Sequence, residues 1–322
     1  LPQSMMRWYW DNDFKDNQKG IFFMSFTNQT IVSLSFCVLL IPFTSQISVL
    51  IFGNEGWSTA LKLLILSTAL QAINNIVNSL MRIQSKAMLF SVTNSIKLTV
   101  VLLLTVYLIV FRHTGVKGIY IAQGAGNLLF IILLSGYVAR NCRFYFNIKV
   151  FKSMSSYGFP LLLSNVAAAS LAVIDRYSLN TLALLKYVAI YSMAYKISSV
   201  LKLVVVDSIK MAITPMVMKK MNSPDNRFYS KTLLYSSFVL MLGIISLSLF
   251  SYEIIKAISR SAEFWIAFIV VPILSLSVFF TNMRETSTYG LIIKKKTGIV
   301  GFIVVVSSVL NIILNIILIP RW

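Results

Sequence analysis

The chain has 322 residues, of which 57% are hydrophobic and 12% are charged, and its formal net charge at pH 7 is +19. About 25% of the residues in a soluble domain are charged, so this composition, with a mean hydropathy of +0.79, excludes an ordinary soluble protein. The two cysteines lie in an apolar run and in a basic loop, and they indicate neither a disulfide framework nor a metal site. We predict an all-α polytopic membrane protein without cofactor or metal.

Nine apolar stretches reach the length of a membrane-spanning helix, which is about 20 residues. In chain order, the predicted helices cover residues 21–42, 58–80, 88–111, 116–139, 156–180, 184–206, 229–251, 264–283 and 297–319. Three further stretches, at 43–53, 207–221 and 252–263, are predicted to lie at the membrane surface. Residues 1–19 are predicted to be a polar segment. The sequence starts at Leu1 and stops just after a span, so we expect further helices at both ends.

Loops rich in lysine and arginine alternate along the chain with loops that contain few of them. One set of loops holds 18 of them and the intervening loops hold 6; the first set is 1–20, 82–86, 140–152, 210–231 and 284–296. Because cytoplasmic loops are enriched in Lys and Arg, we predict that residue 1 lies on the cytoplasmic side. The charge is confined to loops beside the membrane, which argues against nucleic acid as a partner and favours membrane lipids with anionic headgroups.

A faint internal repeat divides the chain. Residues 51–86 and 258–296 each contain a tryptophan, an apolar span and a basic end, and the two copies lie about 210 residues apart in the same orientation. A parallel repeat is typical of transporters with two halves related by an axis along the membrane normal. We predict an N-terminal bundle at 1–139, a basic cytoplasmic linker at 140–153 and a C-terminal bundle at 154–322.

Charged residues inside the predicted spans are the candidate functional residues. Asp175 and Arg176 lie near the end of one span, Lys196 lies in the middle of the next, and Lys97 lies ten residues into another. Each charge costs about 2.5–3.5 kcal/mol on insertion scales, so such residues usually face a cavity, a partner or a substrate. Neighbours at i and i+1 on a helix point in different directions, and Lys196 is therefore the predicted ion-pair partner of Asp175. Acidic residues within the spans are nearly confined to Asp175, which predicts an anionic substrate.

Three further features have two interpretations each. Lys97 either reaches the cytoplasmic headgroups or faces an interior cavity. Asn75 belongs to a polar stripe with Gln71, Asn74 and Asn78, which either joins helices or lines a cavity. Pro160 either bends its helix or lies in the first turn, where a proline is tolerated.

Known catalytic motifs are absent. The sequence contains no GxxxxGK[ST] segment, no HExxH motif and no paired-cysteine motif. We therefore predict that the protein is not an enzyme.

Four segments together resemble a known family: SYGFPLLLSNVAAASLAVIDRYSL at 156–179, VAIYSMAYKIS at 188–198, GVKG at 115–118 and NIILNIILIP at 311–320. They are similar to the polysaccharide exporters of the MATE-like superfamily, the Wzx-type flippases of lipid-linked O-antigen or capsule repeat units. Ala189 departs from the family, which commonly has glycine there. The resemblance implies a MATE-like two-bundle transporter fold with nine helices visible of an expected twelve or more, in a bacterial cytoplasmic membrane.

The resemblance also implies the function. The protein would move a polyprenyl-pyrophosphate-linked oligosaccharide across the membrane by alternating access, with a glycan polymerase and other envelope-assembly proteins as partners. Arg176, Lys196 and Lys97 would neutralise the pyrophosphate and Asn75 would contact the substrate, because phosphate binding requires cations and hydrogen-bond donors. Asp175 would act as the coupling carboxylate or as part of a charge pair.

Two other functions stay open at this point. A cation-coupled multidrug exporter of the same superfamily would need a cavity richer in carboxylates than in Lys and Arg. A membrane glycan polymerase would be expected to carry a large outer loop, whereas the longest predicted outer connections have about a dozen residues.

Overall fold

The computed structural model describes residues 2–182, 185–221, 226–259 and 261–321, and within these ranges every regular element is helical. The chain divides into two compact units, Leu1–Ser155 and Ser156–Trp322, which we call the first and the second unit. In a bilayer, backbone N–H and C=O groups must be satisfied within the protein, and a helix does this within one segment. Long apolar runs therefore fold as helices here.

The first unit contains six complete helices. They are α1 (Pro2–Tyr9), α2 (Gln18–Leu40), α3 (Thr44–Phe52), α4 (Ser58–Ile83), α5 (Ala87–Val106) and α6 (Val116–Asn141). Helix α4 lies at the centre and packs against α2 and α6. Its residues Val77 and Met81 form a buried apolar cluster with Phe130 and Leu134 of α6.

The second unit contains the remaining helices. They are α7 (Ile148–Leu182), which starts before the unit boundary, α8 (Leu185–Leu201), α9 (Ser208–Lys219), α10 (Asn226–Leu249), α11 (Ser251–Ile258), α12 (Val271–Ile293) and α13 (Thr297–Leu318). Helix α12 packs against α8 and α10. A buried cluster joins Ile190, Ala194 and Ile197 of α8 to Val271.

The internal repeat predicted from sequence reappears as a repeated order of helices. The series α1, α2, α3, α4, α5 of the first unit is matched by α9, α10, α11, α12, α13 of the second, and corresponding helices begin roughly 210 residues apart. The three predicted surface stretches correspond to the short helices α3, α9 and α11. Whether residues 140–153 act as a linker stays a prediction.

The nine predicted spans correspond to seven helices that are long and apolar enough to cross a membrane, and to two interrupted ones. One interrupted span bends by 47° between Ala262–Ile269 and α12. The other consists of the 17-residue helix α8 and a π-helical segment, Lys202–Asp207. The prediction of nine uninterrupted spans is therefore not met in the described residues.

Three predicted boundaries are wrong. Helix α7 begins at Ile148 rather than at 156, so Pro160 lies inside the helix and not in its first turn. Helix α12 continues to Ile293 rather than stopping at 283, which places two charged residues of the predicted loop in a helix. The predicted polar segment 1–19 contains helix α1, whose Met5 and Met6 are buried because it packs against α2 and α4.

Candidate functional site

Asp175 forms hydrogen bonds that join three helices of the second unit. Its carboxylate accepts a hydrogen bond from the Tyr191 hydroxyl of α8 at 2.9 Å and one from the Asn315 side-chain amide of α13 at 2.9 Å. The structure shows no ion pair between Asp175 and Lys196, two residues that it describes. The prediction of that pair is therefore wrong, because neutral donors from two helices fill the place of the cation.

Helix α13 brings Asn315 to Asp175 because it runs beside α7 in the same direction. Thr297 donates to the Tyr157 carbonyl at 3.1 Å, and Ser308 donates to the Ala167 carbonyl at 3.3 Å. A Cβ atom placed on Gly301 would lie 3.0 Å from the Pro160 carbonyl oxygen, so the two backbones approach closely there. The same parallel alignment continues along α7 and α13 and places Asn315 beside Asp175.

Arg176 is held by an aromatic ring. Its guanidinium carbon lies 4.9 Å from the centre of the Tyr195 ring, and the Tyr191 and Tyr195 rings stack at 6.3 Å between centroids. The Nε atom of Arg176 is buried and has no hydrogen-bond partner in the described part of the chain. A cation above an aromatic face is stabilised by about 0.5–2 kcal/mol.

The third predicted residue of this region, Lys196, lies elsewhere on α8. Its side chain is exposed, and its backbone carbonyl accepts a hydrogen bond from the Ser199 hydroxyl at 2.7 Å. Arg176 and Tyr195 meet, whereas Lys196 follows Tyr195 in sequence and points away from it, as i,i+1 neighbours on a helix do. The structure thus brings Arg176 and Asp175 to one place and leaves Lys196 on an adjoining face.

A pocket of about 100 Å³ opens next to Tyr195 between α8 and α12. It is lined by Tyr195, Ser198, Ser199, Lys202, Leu274, Ser277, Val278 and Thr281. Sequence analysis missed Lys202 as a candidate, although Tyr191, Tyr195, Ser199 and Lys202 recur at the spacing of one helical face. That spacing is the signal by which the residue could have been found.

A charge cluster on α12 was also missed. Glu285 lies 2.7 Å from the Lys210 ammonium of α9 and 2.9 Å from the guanidinium of Arg284. Acidic residues in the spanning helices are therefore less confined to Asp175 than predicted. Because its carboxylate is already bound by two cations, Glu285 acts here as a connection between α9 and α12.

In the first unit, Lys97 belongs to a buried amide network. Its ammonium lies 3.4 Å from the Asn127 side-chain oxygen and 5.3 Å from the centre of the Phe130 ring. The same Asn127 oxygen accepts from the Asn74 amide at 3.1 Å, and the Asn127 amide donates to the Ser67 carbonyl at 3.0 Å. Lys97 therefore contacts α6 instead of extending to the headgroups.

The polar stripe of α4 divides into two kinds of residue. Asn74 is fully buried and joins α4 to α6. Asn75 is exposed, and its side chain has no hydrogen-bond partner in the ranges that the structure describes. The helix-joining interpretation therefore holds for Asn74, and Asn75 stays a candidate substrate contact.

Comparison with known proteins identifies the family. The profile of the family described as "Polysaccharide biosynthesis protein" matches residues 14–265, which is most of the chain. The chain belongs to this family. No curated protein sequence matches it. The resemblance carried by the four sequence segments is therefore confirmed.

Solved structures share the fold of this polysaccharide biosynthesis family member. A MATE protein in the straight conformation has 11% identity and a TM-score of 0.84, with 96% of this chain and 73% of that chain covered. A MOP superfamily transporter from Pyrococcus furiosus has 12% identity and a TM-score of 0.80, with 99% and 76% covered. A Vibrio cholerae MATE transporter in the bent form has 13% identity and a TM-score of 0.78, with 98% and 81% covered. At these identities the likeness shows the fold alone.

Family and fold together identify a multi-pass membrane protein of the polysaccharide biosynthesis family with a MATE-like fold. The predicted fold class is confirmed.

Proposed function

We propose that this exporter translocates a polyprenyl-pyrophosphate-linked oligosaccharide, an O-antigen or capsule repeat unit, to the outer leaflet of a bacterial cytoplasmic membrane by alternating access. The proposal depends mainly on the surroundings of Arg176. Its guanidinium lies over the Tyr195 ring and has no acidic partner in the described residues. The family description, polysaccharide biosynthesis, supports a glycan as the cargo. The basic loops support an orientation with residue 1 on the cytoplasmic side.

The chemistry of Arg176 fits a pyrophosphate. Guanidinium presents a planar fork of N–H donors that matches two phosphate oxygens, and such charge-assisted pairs are about twice as strong as neutral hydrogen bonds. An acidic partner would have to be displaced before a phosphate could bind, whereas a ring keeps the charge and leaves the donors free. The arriving diphosphate would supply the counter-charge that Arg176 lacks.

Asp175 is the proposed coupling carboxylate. Its two hydrogen bonds come from neutral groups, Tyr191 and Asn315, so the carboxylate can accept a proton or a metal cation without first breaking an ion pair. Asp175 precedes Arg176 on α7, so a change in the charge of Asp175 would change the electrostatic potential at Arg176. Lys196, Lys97 and Asn75 stay proposed substrate contacts, and a glycan polymerase stays a proposed partner.

A cation-coupled multidrug exporter is the second candidate function. The observation that favours it is the same Asp175 carboxylate, which is half-buried and could bind a cationic drug. The number of charges opposes it, because the candidate residues of the second unit include three cations, Arg176, Lys196 and Lys202, and one carboxylate, Asp175. The polymerase hypothesis gains no support from the outer connections, which are short.

The test compares a host lacking the gene with hosts that express single variants. We expect gene loss to trap single lipid-linked repeat units on the cytoplasmic leaflet. Arg176→Ala should reproduce this defect while still inserting into the membrane, and the control Arg112→Ala, at an exposed position, should export normally. Arg176→Lys should restore export only in part, because an ammonium lacks the planar fork.

Each other outcome contradicts the proposal. Unpolymerised repeat units on the outer leaflet would indicate a polymerase. An unchanged glycan together with new drug sensitivity would indicate a drug exporter. Normal export by Arg176→Ala would remove that residue from the substrate site.

A further inference from the structure

The pocket beside Lys202 adjoins the Arg176 contact, because Tyr195 lines the pocket and also lies against the Arg176 guanidinium. Lys202 follows Tyr195 by seven residues, which is about 10 Å along a helix at 1.5 Å per residue. It opens the π-helical segment Lys202–Asp207, and such segments are rare and frequently lie at functional sites. The side chain is exposed. Arg176, which contacts Tyr195 of α8, and Lys202, in the segment that follows α8, are therefore cations at two different levels.

No acidic group neutralises Lys202. Within the described ranges its ammonium has neither an ion pair nor a hydrogen bond, and the acid nearest in sequence is Asp207 at the end of the same segment. Farther along the chain, by contrast, Lys210 is paired with Glu285 at 2.7 Å. A lysine kept unpaired in a spanning helix is costly unless a ligand or cavity offsets it. The charge of Lys202 is therefore not neutralised by an acidic side chain of the described residues.

The pocket hydroxyls complete the donors that an anion needs. Ser199 donates to the Lys196 carbonyl at 2.7 Å, Ser277 to the Leu274 carbonyl at 2.6 Å, and Thr281 to the Ser277 carbonyl at 3.0 Å. These acceptors are carbonyls within helices α8 and α12, which also take part in the regular backbone bonds of a helix. Each hydroxyl can thus rotate toward a ligand oxygen without leaving a carbonyl unpaired.

The bottom of the pocket is fixed. Ser275 donates to the Ser198 hydroxyl at 3.2 Å, and Ser198 in turn donates to the Val271 carbonyl at 3.2 Å. Both serines are buried, and this chain of bonds holds α8 against α12. The two walls, which carry Lys202 and the hydroxyls of Ser199, Ser277 and Thr281, are therefore held together at the base of the pocket.

The depths of Lys202 and Arg176 in the membrane set the order in which a substrate would meet them. Lys202 lies five residues, or about 8 Å, before the inner end of its segment at Asp207, in the orientation predicted from loop charges. Arg176 lies six residues, or about 9 Å, before the opposite end of α7 at Leu182. A headgroup that enters from the cytoplasmic leaflet would reach Lys202 first.

Taken together, and resting on the proposed function, the geometry points to a second phosphate subsite. Lys202, with Ser199, Ser277 and Thr281, binds the diphosphate of the lipid-linked glycan on the cytoplasmic side. Arg176 receives it afterwards. The transport path of the second unit thus has an inner and an outer anion position.

The experiment measures binding of polyprenyl diphosphate to the purified full chain in vesicles of neutral lipid. We expect Lys202→Gln to weaken binding about ten- to a hundred-fold, the loss expected for one charged hydrogen-bonding group. Lys202→Arg should retain most of the affinity, which excludes a folding defect as the cause. The matched control is Lys62→Gln, which removes another exposed lysine in the first unit.

A second arm distinguishes the source of the phosphate. Vesicles containing phosphatidylglycerol in place of polyprenyl diphosphate should bind the wild type and Lys202→Gln equally. An equal loss in both arms would show that the pocket takes any lipid phosphate and would overturn the assignment. Unchanged binding of polyprenyl diphosphate by Lys202→Gln would also overturn it.

The two proposals can fail separately. If gene loss traps repeat units but Lys202→Gln binds and exports like Lys62→Gln, only the inner subsite is wrong. If gene loss leaves the glycan unchanged, the proposed function itself is wrong. Export reduced by Lys202→Gln and restored by Lys202→Arg would support both.

Discussion

Asn127 and Asn75 give opposite predictions although their side chains are identical. Asn127 is 4% exposed and its side chain makes three hydrogen bonds, to Asn74, to Lys97 and to the Ser67 carbonyl. Hydrogen bonds between membrane helices contribute about 0.6 kcal/mol each on average. Asn127→Leu should therefore lower the free energy of unfolding by about 2 kcal/mol, a change of roughly 30-fold in the folded-to-unfolded ratio.

Asn75→Leu is the matched control on the neighbouring helix. Because its side chain is exposed and unbonded in the described residues, the free energy of unfolding should change by no more than about 0.5 kcal/mol. Reversible unfolding in mixed micelles, followed by circular dichroism, measures both values. If the two variants lose equal stability, the assignment of Asn127 as a connection between helices is refuted.

The same pair separates stability from transport. Asn75→Leu should reduce export at unchanged stability, since Asn75 is a proposed substrate contact. Asn127→Leu should reduce export only in proportion to the amount of folded protein in the membrane. A fully active Asn75→Leu would remove that residue from the substrate path.

Two further predictions concern helix contacts and charge. Asp175→Asn and Lys196→Met should each lower export, and their double variant should lose the sum of the two effects, because no ion pair joins them; full recovery of export by the double variant would contradict this. Gly126→Ala should lower the free energy of unfolding by about 1–3 kcal/mol, because the new Cβ would overlap Val101 of α5. Gly124→Ala on the same helix meets open space and should leave stability nearly unchanged, as a thermal unfolding assay can show.

The helices were predictable from sequence because an unbroken apolar run has one stable solution in a bilayer. Their ends were not. Helix α12 continues past Arg284 because Glu285 there is neutralised by Lys210, a residue far away in sequence. Helix α7 begins earlier, at Ile148, in a segment too polar to be counted as apolar. Hydropathy marks where a helix crosses hydrocarbon and not where it begins or ends.

The partners of the charged residues were beyond sequence analysis for a different reason. Lys196 was chosen for Asp175 by nearness along the chain, whereas the partner found, Asn315, lies 140 residues away. Its position depends on the register of α13 along α7, which a single sequence does not reveal. Asn311 and Asn315 recur at i,i+4 in a mostly apolar helix and were the available signal.

The neighbours of the cations in the spanning helices relate to the charge of the proposed cargo. Arg176 and Lys97 rest on aromatic rings, and Lys202 lies in a pocket of hydroxyls, without an acid partner in the described residues. A ring offsets only part of the 2.5–3.5 kcal/mol cost of a charge in hydrocarbon. A carboxylate would offset more, as Glu285 does for Lys210, but it would neutralise the site. Incomplete neutralisation of Arg176, Lys97 and Lys202, beside the ion pair of Lys210 on α9, fits the anionic headgroup that we propose as the cargo.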